Sequence, residues 1–147
     1  MSNYFFSIGS VLALMAVAGG AFGGHVLKPR LSEYHLEIFE VASRYHMYHA
    51  IAVIISSWAI NKFSSPWAQK AGYLFITGIV VFSGSLYLLS ITGLRWLGAI
   101  TPIGGTAFML GWACLAIAPW RQHTWAKSNT ESDGANQLEQ LDSSCSS

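Results

Sequence analysis

Three histidines in this chain have spacings that could support metal or ligand chemistry. His46 and His49 are three residues apart, so on a helix their imidazoles project from neighbouring positions. His25 ends the first apolar stretch, and two helices joined by a loop would bring it to the same membrane face. Imidazoles so placed could share a transition metal or ligate a haem. They could instead handle protons or simply bond backbone carbonyls and lipid headgroups, because no third ligand of fixed spacing completes a coordination shell.

Charged and aromatic side chains accompany these histidines. Arg44 follows Glu40 by four residues, which is a favourable helical ion pair worth about 0.3–0.5 kcal/mol when exposed. Arg44 could reach lipid headgroups, or it could point inward and hold an anionic ligand. Our candidate cofactor-binding set is His25, Arg44, Tyr45 and His49, with the cofactor itself unspecified and no separate metal site.

A further group of residues carries hydroxyls and glycines instead of charges. These residues could line a polar path, or they could provide close helix packing and interhelical hydrogen bonds. The members of this group are Gly20, Gly24, Ser83, Gly84, Ser85, Tyr87, Thr101, Pro102, Gly104 and Gly105. The apolar stretches contain no carboxylate, and the sequence has no HExxH, P-loop or Ser-His-Asp signature, so we predict no catalytic residue.

Membrane-spanning helices must position all of these residues. Only 10% of the 147 residues are charged and 52% are hydrophobic, whereas soluble domains carry about 25% charged residues. Every Lys, Arg, Asp and Glu falls outside four stretches, 1–27, 45–61, 71–94 and 96–120. Because about 20 apolar residues of helix cross a bilayer, we predict an all-α integral membrane bundle of four transmembrane helices. The predicted spans are 4–24, 45–60, 71–92 and 97–119.

One interfacial amphipathic helix is predicted between the first and second spans, over 32–44. Pro29 ends the preceding helix and Ser32 is a candidate N-cap, after which apolar residues recur at helical spacing. Pro66 indicates an interfacial loop after the second span. Pro102, followed by two glycines, predicts irregular backbone at the start of the fourth span.

The composition changes after residue 120. Residues 121–147 are rich in Ser, Asn, Gln and Glu, which predicts a polar disordered tail behind a transmembrane domain of residues 1–120. The positive-inside rule gives no orientation, because four basic residues fall on each predicted side, Lys62, Lys70, Arg121 and Lys127 against Lys28, Arg30, Arg44 and Arg95. The α-amino group favours both termini in the cytoplasm.

Five ordered motifs of the sequence resemble those of the domain of unknown function 423 family, which is similar to the eukaryotic transmembrane protein 256 group. The motifs are GAFGGH at 20–25, ASRYHMYH at 42–49, FSGSLY at 82–87, TPIGG at 101–105 and GW at 111–112. The resemblance implies a small multi-span integral membrane protein of the bacterial inner membrane. It implies no reaction.

The sequence favours a non-enzymatic protein that acts through helix packing, in a larger membrane complex or as a homo-oligomer within the lipid bilayer. Ala16, Gly20 and Gly24 recur every four residues in the first span, and such spacing lets another helix approach closely. An alternative is a haem-, metal- or quinone-binding redox module that uses His25 and His49. A further alternative is a small-solute permease working as an oligomer. Scattered basic residues and a net charge of +1 argue against a nucleic-acid partner.

Overall fold

The computed structural model describes residues 2–120, which form helices joined by short turns, with no strand among them. The elements in chain order are α1 (Ser2–Phe22) continued by a π-helical turn (Gly23–Leu27), α2 (Glu33–Phe63), α3 (Pro66–Gly78) continued by a second π-helical turn (Ile79–Ser83) into α4 (Gly84–Thr92), a 3-10 turn (Arg95–Ala99) and α5 (101–120). The predicted all-α class is therefore confirmed for these residues. The predicted disordered tail, 121–147, lies outside the described residues.

Three helical stretches are long and apolar enough to cross a membrane, judged by length and composition. They are Asn3–Leu27, Pro66–Thr92 and Arg95–Trp120. These stretches correspond to the predicted first, third and fourth spans. The predicted second span, 45–60, does not stand out in the same way, because it contains two histidines and two serines and is followed directly by Asn61 and Lys62.

That longer helix is α2, and it corrects the prediction of a separate interfacial helix over 32–44. α2 runs unbroken for 31 residues, which is about 46 Å of helix. No proline or glycine interrupts residues 33–63, so nothing ends the helix at the interface. The predicted N-cap is confirmed, since the Ser32 hydroxyl accepts a hydrogen bond from the His35 N–H at 3.4 Å. The helix ends where Ser64 adopts a left-handed conformation and its N–H bonds the Ile60 carbonyl.

Pro66 and Pro102 both lie at the start of helices. Pro66 is the first residue of α3, and the predicted loop after the second span is a turn of two residues, Ser64 and Ser65. Pro102 lies in the first turn of α5, which continues as regular α-helix through the following glycines. A proline in the first turn removes an N–H that has no intrahelical partner, so it does not break the helix.

α3, the second π-helical turn and α4 form one continuous helix, which we call the α3–α4 rod. The helices pack as a bundle with α2 and this rod at the centre and with α1 and α5 on the outside. Gly9 of α1 packs against Ile54 and Gly23 packs against Phe39, so α1 and α2 are antiparallel. α5 packs on α3 through Phe108 against Gly78. In the most apolar 18-residue segments of α1 and α5, only 17% is buried within the chain, against 39% of the corresponding segment of the α3–α4 rod. The outer helices therefore contact the rest of the bundle along a narrow face and leave most of their surface uncovered.

The central position of α2 explains its composition. The residues of the main core come from every helix that surrounds it, and Ala50, Ala52 and Val53 of α2 are fully buried among them. Large side chains fill the space around these small ones, namely Phe5, Phe75, Ile79 and Phe108. A helix shielded by its neighbours does not need the hydropathy of one that faces lipid, so α2 can carry serines and histidines along its buried face.

Candidate functional site

The structure does not bring His25 together with His49. His25 is exposed on the π-helical turn that follows α1. Its neighbour Gly23 packs against Phe39, ten residues before His49 on α2. At 1.5 Å per residue, this places His25 and His49 about 15 Å apart along the bundle axis. One haem iron or metal ion bound by both imidazoles does not fit this arrangement.

His49 and Tyr45 do lie together, in an aromatic cluster between α2, α3 and α5. The His49 ring is stacked on Phe108, with centroids 3.4 Å apart and planes 8° apart. Its Nδ1–H donates to the Tyr45 carbonyl oxygen at 2.8 Å, and Phe75 and Trp112 pack around it. The backbone bond and the stack fix the orientation of the imidazole, and they give His49 a role in joining α2 to α5.

A buried chain of hydrogen bonds joins α1, α2 and α4, and His46 forms its inner end. Ser43 Oγ donates to the Ala16 carbonyl oxygen at 3.1 Å, and it lies within hydrogen-bonding reach of the Tyr87 hydroxyl. The Tyr87 hydroxyl oxygen is 3.5 Å from His46 Nδ1, at the long limit of a hydrogen bond.

Two buried polar atoms near this chain have no partner among the residues that the structure describes. They are His46 Nε2 and Ser83 Oγ, on side chains that are 5% and 1% exposed. Ser83 lies one turn from Tyr87 along the α3–α4 rod, so both hydroxyls face α2. Ser83 belongs to the predicted site residues, whereas His46 does not. The sequence does show that His46 follows Ser43 by three residues, and this spacing places both side chains on one face of α2.

The hydroxyl and glycine group divides between two faces of α4. Ser85 Oγ lies 3.2 Å from Thr101 Oγ1 and bonds the Phe82 carbonyl, so it joins α4 to α5. Ser83 and Tyr87 lie on the side that faces α2, because positions two residues apart project from nearly opposite faces of a helix. The two sets of hydroxyls therefore do not line one continuous path.

The glycines of this group differ in how closely they are packed. A Cβ on Gly104 would lie 2.5 Å from the Phe82 backbone nitrogen, whereas one on Gly105 would meet only the Phe82 ring, at 3.9 Å. A Cβ on Gly20 would meet Ser43 Oγ at 3.3 Å, and one on Gly24 or Gly84 would meet nothing within 4 Å. The tightest contacts of α1 are therefore at Gly9 and Gly23 rather than at Gly20 or Gly24.

Arg44 faces a different surface from Tyr45 and His49. It lines a groove of about 430 Å³ between α1 and α2. We call this surface the α1–α2 groove, and its lining comprises Ala16, Val17, Gly20, Gly23, Phe39, Glu40, Ser43, Arg44, Met47 and Tyr48. Of the four predicted cofactor-binding residues, only Tyr45 and His49 share a location.

Metal ligands do not cluster in the part of the chain that the structure describes. Within residues 2–120, no group of three or more His, Cys, Asp or Glu side chains could hold a metal ion. The histidines instead serve helix contacts, with His46 bonded to Tyr87 and His49 stacked on Phe108.

The fold and these contacts define a helical integral membrane protein in which a few polar side chains join neighbouring helices. The comparisons with known proteins give its family. Residues 19–105 match the family model described as "Protein of unknown function (DUF423)". The chain belongs to this family.

Curated relatives match more than three quarters of the chain. The chain is 42% identical over 115 residues to the UPF0382 membrane protein YwdK of Bacillus subtilis, a match that covers 78% of this chain and 94% of the relative. It is 46% identical over 114 residues to a UPF0382 membrane protein of Staphylococcus epidermidis, covering 78% of this chain and 93% of the relative. No solved structure matches the chain.

Proposed function

We propose that this chain is a four-span, non-enzymatic protein of the bacterial inner membrane. It acts through helix contacts, as a homo-oligomer or as a subunit of a larger membrane complex. Its two termini lie in the cytoplasm. Its relatives are named as membrane proteins of bacteria, and that supports the location.

The position of α2 supports a fourth span. α2 lies antiparallel to α1 and packs along both α1 and the α3–α4 rod. A helix in that position shares the depth of its neighbours, so it crosses the bilayer wherever they do. Its 31 residues exceed the length that a bilayer needs, and its polar N-terminal third extends beyond the hydrocarbon layer.

The observation that carries the assembly proposal is the outward face of α5. Thr106, Ala113 and Ala116 are exposed there, among large apolar side chains such as Met109 and Ile117. Lipid would be satisfied by large apolar residues alone. Small residues at membrane depth allow the backbone of another helix to approach, and this approach is the main source of association between helices in lipid. We call this surface the α5 face.

Cysteine crosslinking in native membranes tests the assembly proposal. In a chain with Cys114 and Cys145 replaced by serine, Ala113→Cys places one thiol on the α5 face. Leu14→Cys is the matched control, because Leu14 is 69% exposed on the outward face of α1. We expect oxidation to link Ala113→Cys to a second copy or to another polypeptide, and to leave Leu14→Cys monomeric.

Two results would contradict the proposal. One is the absence of a crosslinked product from Ala113→Cys and from neighbouring positions Thr106→Cys and Ala116→Cys. The other is equal crosslinking of Ala113→Cys and Leu14→Cys, which would indicate random collision in the membrane. Mass spectrometry of the crosslinked band then distinguishes a homo-oligomer from a larger complex.

The redox module and the permease remain alternatives without a specific supporting observation. A redox module using His25 and His49 would need the two imidazoles at one centre, and they lie at different levels of the bundle. A permease would need a continuous polar path. The hydroxyls of α4 face two different neighbours instead.

A further inference from the structure

The α1–α2 groove contains Arg44, which is the last charged residue of α2 before the uncharged stretch 45–61. In the proposed four-span topology, on which this inference rests, Arg44 therefore lies at the boundary between lipid headgroups and acyl chains. Arg44 is exposed in the groove. Helical side chains lean toward the N-terminus, which for α2 is the direction of the nearer membrane surface. The guanidinium therefore extends toward the headgroup layer while its stem stays beside apolar surface.

The groove carries its charges in a defined order along α2. Glu40 lies one turn nearer the membrane surface than Arg44, about 6 Å along the axis. Toward the bilayer centre from Arg44, the α2 side of the lining continues with Met47 and Tyr48. From surface to centre, α2 thus presents an anion, then a cation, and then these two larger side chains.

We infer that the α1–α2 groove binds a phospholipid with a zwitterionic phosphoethanolamine headgroup. Arg44 holds the phosphate, because a guanidinium matches phosphate oxygens with paired N–H donors. Glu40 accepts from the ammonium group, which lies on the surface side of the phosphate. The acyl chain follows Met47 toward the bilayer centre.

The acidic residue decides between classes of lipid. An anionic headgroup such as phosphatidylglycerol would also bind Arg44, but it has no cation to place against the Glu40 carboxylate. The volume of about 430 Å³ suits a headgroup and the first part of one chain, and it lies in the range of small-molecule sites. This site is separate from the α5 face, so it does not depend on the proposed assembly.

Native mass spectrometry of the purified full chain in mild detergent tests the inference. The protein is given equimolar phosphatidylethanolamine and phosphatidylglycerol with identical acyl chains. We expect the wild type to retain phosphatidylethanolamine preferentially. Arg44→Gln should weaken its binding about tenfold, as expected when a charged hydrogen bond is lost. Arg30→Gln, which removes an exposed cation outside the groove, should leave binding unchanged.

Glu40→Gln tests the role of the acidic residue most directly. It should shift the preference from phosphatidylethanolamine toward phosphatidylglycerol without abolishing lipid binding. The thermal stability of each variant in lipid-free detergent shows that the bundle remains folded. Equal retention of both lipids by the wild type would overturn the inference. Equal losses in Arg44→Gln and Arg30→Gln would also overturn it, because binding would then follow total charge rather than the groove.

Discussion

Gly104 of α5 lies in direct contact with the backbone of Phe82 on the α3–α4 rod. A Cβ at position 104 would lie 2.5 Å from the Phe82 nitrogen and 2.8 Å from its Cα. Real Cβ atoms do not approach backbone this closely, so the two helices can pack at this distance only with glycine at 104. This contact lies one turn from Phe108, whose ring packs on Gly78 and stacks on His49.

The close contact predicts that Gly104→Ala destabilises the bundle. The added methyl must push α5 away from backbone atoms, and overpacking of this kind costs about 1–3 kcal/mol. Gly105→Ala is the matched control, because its Cβ would meet only the Phe82 ring at 3.9 Å and alanine favours helix by up to about 1 kcal/mol. Thermal unfolding in detergent should show a lower Tm for the first variant only. Equal Tm values would contradict the close approach of α5 to Phe82.

The buried hydrogen-bond chain predicts a different response at two tyrosines. Tyr87→Phe removes the hydroxyl that joins Ser43 to His46, and we expect a loss of about 0.6–1.7 kcal/mol. Tyr73→Phe should change stability little, because Tyr73 is 56% exposed and contacts Phe5 through its ring. Chemical or thermal unfolding measures both. A larger loss for Tyr73→Phe would show that the chain does not stabilise the bundle.

A packing role for His49 predicts that ring shape matters more than imidazole chemistry. His49→Phe keeps a flat ring against Phe108 and should cost much less than His49→Ala, which leaves a cavity and should cost about 2–4 kcal/mol. Unfolding in detergent measures the difference. Equal losses in both variants, accompanied by the disappearance of an absorbance band or a bound metal, would instead favour the ligand role predicted from sequence.

The core predicts that residues 1–120 fold without the tail. All buried hydrophobic clusters of the described residues lie between Phe5 and Ala118. A chain that ends at residue 120 should therefore be inserted and should unfold within a few degrees of the full chain. Loss of the folded protein on truncation would show that residues 121–147 contribute to the bundle.

Much of the fold could be predicted from charge patterning, because excluded charges directly mark apolar helices. The continuity of α2 across the predicted interfacial helix and the predicted second span could not be predicted in this way, since a hydropathy pattern does not show whether a helix bends at the interface. The absence of proline and glycine over 33–63 was the available signal. Irregular backbone was predicted at Pro102 because a proline in a first turn and a proline in a helix interior look alike in sequence.

The site could be predicted less well, because it depends on which face of each helix is covered. Arg44 and Tyr45 are adjacent in sequence, yet Arg44 faces the α1–α2 groove and Tyr45 faces the aromatic cluster. Successive helical residues are about 100° apart, so neighbours in a motif can serve different surfaces. The contact of His46 with Tyr87 joins residues that are 41 positions apart, so no local sequence pattern could predict it.

The central claim is that α2 crosses the membrane at the centre of a four-span bundle. Cysteine labelling in sealed vesicles tests it most directly, with Lys28→Cys, Ser64→Cys and Leu94→Cys made singly in a chain lacking Cys114 and Cys145. Four spans predict that Lys28→Cys and Leu94→Cys react with an impermeant reagent from one side and Ser64→Cys from the other. Labelling of Lys28→Cys and Ser64→Cys from the same side would mean that α2 does not cross, and it would contradict the four-span topology.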